Sequence, residues 1–145
     1  MARDAPIGTV TVAAAVIEQD DAFLMTRRLA GTHLAGLWEF PGGKRHADES
    51  LADCLRREMR EELAADVDVG PEIVATRHRY PDRTVELRFF RCTLTSEPAP
   101  QLGQEMRWVP RHDLISLPLP SADEEIVGLL TSQRTRPRRP ARDPA

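Results

Sequence analysis

The apolar positions fall in short runs closed by turn signals, with one longer helical period near the middle. Residues 9–17 (TVTVAAAVI) alternate at first and then become continuously apolar, which predicts a strand with at least one buried face. Gln19-Asp20-Asp21 reads as a turn, and residues 22–26 as the returning strand of a hairpin. Residues 27–37 hold two glycines and no clean period, so they read as a loop. Trp38-Glu39-Phe40 is a short strand stopped by Pro41-Gly42-Gly43. Ser50 is an N-cap candidate with Asp53 three residues on as a capping-box-like partner, and the helix it starts fades near residues 64–66. Gly70-Pro71 reads as a break. Residues 72–80 and 84–94 then read as two strands joined at Pro81-Asp82-Arg83. A loop over 96–103, a strand over 105–109, a helical turn at 111–115 and a last helix from 122 to about 132 complete the pattern.

Composition narrows the class. At 145 residues, 41% hydrophobic and 30% charged, the chain is expected to be one soluble domain over residues 1–133. It contains no apolar run of about 18 residues, which argues against a membrane span. Arg3 and Asp4 stand where a signal peptide would need a long apolar stretch. Cys54 and Cys92 have no metal-like spacing, so a reduced, cytoplasmic protein without disulfides is the simplest expectation. Residues 134–145 carry five arginines and one aspartate, which leaves −7 on residues 1–133 of a total of −3. That tail, with three prolines, is expected to be disordered. The acidic body is a poor general binder of nucleic acid, and no specific nucleic-acid partner is expected.

The chemistry concentrates between Gly42 and Leu63. Glu58, Glu61 and Glu62 have the i, i+3, i+4 spacing of one helix face and cluster within about a third of the circumference. Leu55, Met59 and Leu63 form a core-facing stripe roughly 90° away. Arg57 and Arg60 fall on the other side. Three like charges so close repel one another unless a positive charge sits there. Magnesium or manganese is the natural candidate, because hard divalent cations take oxygen ligands. A solvated face softened by arginine neighbours is the alternative for the triplet alone. Gly42-Gly43 permits close backbone approach to a ligand, and Lys44 places a cation beside it. Glu49 and Arg57 stand at fixed offsets between the two.

Taken together, Gly43, Glu49, Arg57-Glu58-Met59 and Glu61-Glu62-Leu63-Ala64-Ala65 resemble the box of the Nudix hydrolase family. Every charged position matches, and Ala64 stands where the family usually has glycine. Arg28, His33, the Glu39-Phe40-Pro41-Gly42-Gly43-Lys44 run, Tyr80-Pro81-Asp82, Phe89-Phe90, Trp108 and Pro120-Ser121-Ala122-Asp123 extend the resemblance to its MutT-like branch. The resemblance implies an α/β fold, the Nudix α/β/α sandwich around a mixed sheet. It also implies a Mg²⁺- or Mn²⁺-dependent pyrophosphohydrolase that converts a nucleoside triphosphate and water to a monophosphate and pyrophosphate. The sequence leaves monomer and homodimer both open.

By the same resemblance, Glu58, Glu61 and Glu62 with the Gly42 carbonyl hold the metal. Arg57 and Glu49 orient them, Lys44 stabilises the departing nucleotide, and Arg28 and His33 meet phosphate or ribose. A surface-loop histidine is the alternative for His33. Leu102 stands where several relatives place a glutamate base, so either Glu105 or a box glutamate, Glu61 or Glu62, is expected to activate the water. Asp123 is expected to read the base. An ionised aspartate accepts only, which suits the 4-amino group of cytosine or the N1–H and 2-amino group of guanine, and resembles cytidine-nucleotide enzymes. Asp123 also suits a helix N-terminus. Phe40, Phe90 and Leu119 are candidate walls for the base, with a core role as the alternative. An 8-oxo-dGTP diphosphatase, a dinucleotide or nucleotide-sugar hydrolase and a non-catalytic binding module remain alternatives. The short chain disfavours the dinucleotide and nucleotide-sugar reading, and the intact glutamates disfavour the binding module.

Overall fold

A computed structural model of the chain describes residues 8–132. The expectations for 134–145, and for a boundary at 133, lie outside the described residues. Strand β1 (Thr9–Gln19) is the spine. It pairs in parallel with β6 (Arg83–Leu94) from Thr9 to Ile17, and antiparallel with the short β4 (Gly42–Lys44) on its other side. Its far end turns into β2 (Ala22–Arg27), which pairs with β3 (Trp38–Glu39) and β7 (Met106–Pro110). Strand β5 (Val67–Tyr80) lies at the edge, antiparallel to β6.

This sheet separates two cores, which is why β1 is apolar on both sides. Ala13, Ala15 and Ile17 pack with Leu55, Met59 and Leu63 of helix α1 (Leu51–Leu63). Ala14 and Val16 face the opposite way, into a core with Phe40, Phe89, Leu114, Ile126 and Leu130. That second face is covered by the 3-10 turns Arg111–Ser116 and Ser121–Asp123 and by helix α2 (Glu124–Ser132). The result is an α/β/α sandwich. No helix among the described residues is long and apolar enough to cross a membrane.

Helix α1 starts where its cap predicts. The Ser50 hydroxyl accepts the Asp53 N–H at 3.0 Å, while the Asp53 carboxylate turns to Arg56, so the reciprocal half of a capping box does not form. At the other end Ala64 takes a left-handed conformation, φ 50°, donating to Arg60 O while Ala65 donates to Met59 O. The helix therefore makes a glycine-type exit without a glycine. Its last carbonyls are taken by the following loop: Glu62 O accepts from Gln101 N and Gln104 Nε2, and Leu63 O from Ala99 N.

Two expectations are corrected. Gly70-Pro71 does not break the chain. It sits inside β5, absorbed by register shifts between Val69 and Val74 at the sheet edge, where a missing N–H is tolerated. Gly42-Gly43 does more than stop the strand before it: with Lys44 it forms a strand of its own, because Gly42 and Gly43 pair with Ala14 and Ala13.

Ala64→Gly is expected to stabilise the fold by about 1 kcal/mol, the cost of a left-handed residue with a Cβ. A denaturant midpoint equal to or below wild type would show that this position carries no such strain.

Candidate active site

Strand β4 and helix α1 bring the acidic residues together because glycine lets them touch. A Cβ on Gly43 would lie 2.3 Å from the Glu58 carboxyl carbon. A Cβ on Gly42 would lie 2.0 Å from Ala13 O, against backbone that cannot yield. Arg57 is the organising cation. Its Nε donates to Glu49 at 2.6 Å and its Nη2 to the same carboxylate at 3.0 Å. Nη1 reaches Glu58 at 3.0 Å and Glu61 at 3.2 Å, and Nη2 also bonds Lys44 O at 3.0 Å. Arg57 thus does not point away from the glutamates, as helical angle alone suggests. Its long side chain bends back to them. These bonds hold the Glu49 carboxyl down at about 2, through Arg57 first and the His46 N–H second, and they raise the Arg57 pKa.

Glu62 has a different environment. Burial raises its pKa, and a hydrogen bond shared with Glu58 and the charges of Glu58 and Glu39 raise it further, against a backbone hydrogen bond from Gly42. Two desolvated carboxyls in contact call for a proton or a cation between them. Oxygen donors in this state fit a hard divalent ion, so the residues present suit the expected metal. Glu61 is turned outward onto Arg57 and its side chain is 59% exposed. Among the described residues no group of three acidic, histidine or cysteine side chains is already arranged around one point.

A cavity of about 470 Å³ opens beside this pair. Of the expected residues, Arg28, His33, Phe40, Gly42, Lys44, Glu58, Glu62 and Asp123 line it. Arg28 is fixed inside by Glu39 at 3.0 Å and by the His33 carbonyl. Phe40 meets Phe89 edge to face at 5.8 Å. Asp123 is 6% exposed, so it is more than an exposed helix cap. Burial, then the Glu39 charge, pushes its carboxyl up to about 7.

Three expected residues lie elsewhere. Phe90 is on the α1 side of the sheet, and its neighbour Phe89 lines the cavity, because adjacent strand residues face opposite ways. Leu119 lines a separate groove beside α2. Glu105 is outside the cavity, its side chain 60% exposed and paired with Arg27 at 2.7 Å. The cavity also contains His78, Tyr80 and Arg83, to which the sequence reading assigned no role. His78 and Tyr80 read as strand residues and Arg83 as part of the turn, with Tyr80 marked only by the Tyr80-Pro81-Asp82 of the family resemblance.

Residues 12–129 match the family described as NUDIX domain. The chain belongs to the Nudix family. Among its Nudix relatives, the CTP pyrophosphohydrolase of Escherichia coli (strain K12) is 34% identical over 119 residues, 79% of this chain and 85% of that protein. The 8-oxo-dGTP diphosphatase of Haemophilus influenzae is 31% identical over 127 residues, 86% of this chain and 93% of that protein. The solution structure of the E. coli ORF135 protein aligns with a TM-score of 0.80 at 30% identity, over 91% of this chain and 96% of that one. The MutT protein from Methanosarcina mazei Go1 aligns at 0.79 with 21% identity, a likeness of fold alone.

Gly43→Ala displaces the Glu58 carboxylate, a flexible end that can move, so the fold is expected to survive. Mn²⁺ affinity read by calorimetry should fall about tenfold or more, and unchanged affinity would remove Glu58 from the metal site.

Asp123→Asn tests the buried acid through stability. A carboxyl raised from 3.8 to about 7 binds more protons folded than unfolded in that window, so its presence costs stability as pH rises through it and no further above it. The variant should gain on wild type between pH 4 and pH 8 by on the order of 4 kcal/mol at most. Parallel stability–pH curves in denaturant would contradict this.

Proposed function

We propose that this Nudix hydrolase is a metal-dependent nucleoside triphosphate pyrophosphohydrolase acting on cytidine or deoxycytidine triphosphate, plain or modified. The observation that carries the reading is the charge layout of one cavity. Glu58 and Glu62 form an acidic wall, Arg28, Lys44 and Arg83 supply cations, and Phe40 with Asp123 forms a flat apolar wall carrying one hydrogen-bonding acid. A nucleotide has the matching parts: a polyanion, and a planar base with polar edges. The E. coli relative named for CTP supports the cytosine preference.

Glu58, Glu61 and Glu62 with the Gly42 carbonyl are the groups that would hold Mg²⁺ or Mn²⁺, which supplies charge neutralisation at the phosphates and acidifies bound water. The residues themselves position and screen. Arg28 and Lys44 face the phosphate chain, and Lys44 offsets the charge of the departing monophosphate. Water oxygen bonds to the β-phosphorus, the bridge from that phosphorus to the α-phosphate oxygen breaks, and pyrophosphate leaves the nucleoside monophosphate. Of the acids considered for the water's proton, Glu62 is the one that lines the cavity. Glu61 is exposed, and Glu105 lies outside.

One observation favours a second reading. With its carboxyl near 7, Asp123 is partly protonated at neutral pH, and then both donates and accepts as an asparagine would. That fits an oxidised guanine as well as cytosine, and relatives named 8-oxo-dGTP diphosphatase exist.

The test is Mg²⁺-dependent pyrophosphate release, with kcat/KM compared over dCTP, CTP, 5-methyl-dCTP, 8-oxo-dGTP and dGTP. Cytosine nucleotides are expected to lead, and Glu62→Gln to lower kcat about 100-fold or more. Fastest turnover of 8-oxo-dGTP would replace the first reading by the second.

A further inference from the structure

We infer that Glu105 is a positioning residue. Through Arg27 it holds the loop over residues 28–37 in the conformation that presents Arg28 and His33 to the triphosphate. This rests on the cavity being the nucleotide site.

Arg27 ends β2 and Arg28 is the next residue, and their side chains go to different places. Arg28 enters the cavity. Arg27 stays outside and ties three segments together. Its backbone N–H donates to Glu105 O at 3.0 Å, and its Nη1 to the Glu105 carboxylate at 2.7 Å. Its Nε donates to Gly36 O at 3.0 Å, and its guanidinium lies 5.9 Å from the Trp38 ring centre. Gly36 is the return end of the loop, where Gly36 N bonds Arg28 O and Arg28 N bonds Leu37 O. The Arg27 fork therefore closes the base of the loop on its outer side.

Backbone pairing of β2 with β7 reaches Thr26 and Met106, and is continued by the Arg27 N–H that donates to Glu105 O. A cleft of about 400 Å³ lies between the loop and the segment before β7, lined by Leu29, Ala30, Ala35, Gly103, Gln104 and Glu105 among others. The Arg27 guanidinium spans the two sides, bonding the Glu105 carboxylate on one and the Gly36 carbonyl on the other. The loop also holds Leu34 at φ 60°, an uncommon conformation for a branched side chain that its surroundings must enforce. Gln104, next to Glu105, is anchored to the Glu62 carbonyl at the end of α1. The segment that grips Arg27 is thus tied to the catalytic helix, and the loop is referenced to the same frame as the metal-binding acids.

An exposed ion pair contributes little stability, so the expected effect is on substrate binding. Glu105→Gln and Arg27→Ala should each raise KM for the preferred triphosphate about 3- to 10-fold, with kcat within about twofold and melting temperature nearly unchanged. The acid limb of the kcat–pH profile should stay in place. Glu105→Gln/Arg27→Ala together should be no worse than the worse single variant, since both act through one clamp. A kcat loss of about 100-fold with a flattened acid limb in Glu105→Gln would make Glu105 the general base and overturn the inference. Wild-type KM in both single variants would overturn it too, while leaving the activity standing. If wild type lacks turnover, the activity assignment fails, and calorimetric affinity for dCTP in the same variants decides the clamp on its own.

Discussion

The site depends on Arg57. Helix geometry places Glu58, Glu61 and Glu62 on one face, and the preceding segment adds Glu49. Without a fixed cation these carboxylates would repel one another and splay. A bidentate guanidinium meets Glu49 in a fork and still reaches Glu58, Glu61 and the Lys44 carbonyl. A lysine ammonium has the charge but not the planar fork. By bonding a loop acid, a strand carbonyl and two helix acids at once, Arg57 sets the distance between β4 and α1. Glu62 lies on the cavity side, desolvated beside Glu58 and Glu39. Arg57 thus offsets the charge of Glu49, Glu58 and Glu61, while burial and the neighbouring Glu58 and Glu39 keep the Glu62 pKa raised.

Close approach is the second constraint, and glycine meets it. The Glu58 carboxylate fills the space where a Gly43 side chain would be, and Gly42 lies against the backbone of Ala13 and Ala14. The hydrophobic stripe Leu55, Met59 and Leu63 presses α1 onto the same sheet. Apolar burial on one face of the helix thus positions the carboxylates on the neighbouring face, so packing and chemistry share one element.

Much of this was legible in the chain because it is local. The Ser50 cap, the 3.6-residue period of α1 and the acid spacing lie within a few turns, and the structure keeps all three. What could not be read depends on partners distant in sequence. Strand β4 is three residues with two glycines and no side-chain pattern, and exists only because β1 pairs with it. Phe89 and Phe90 are equivalent candidates until the register with β1 sends one to each core. His78, Tyr80 and Arg83 reach the cavity because the β5–β6 hairpin extends over it, a fact of tertiary placement. The absent glycine at 64 was a weaker signal than it looked, since Ala64 adopts the left-handed exit all the same.

The acidic body and a polyanionic ligand are reconciled by local arrangement. Residues 1–133 carry −7, yet Arg28, Lys44 and Arg83 line one cavity with Glu39, Glu58, Glu62 and Asp123. The two signs meet directly in the ion pair of Arg28 and Glu39. Even there desolvation outweighs the arginine, and the Glu39 pKa stays raised. A cavity whose own charges cannot fully satisfy one another favours a ligand that brings both signs. A phosphate chain accompanied by a divalent cation does so, whereas a bare anion would meet unrelieved carboxylates and a bare cation the arginines. The metal and the nucleotide are therefore expected to bind as a pair, each reducing the electrostatic cost of the other.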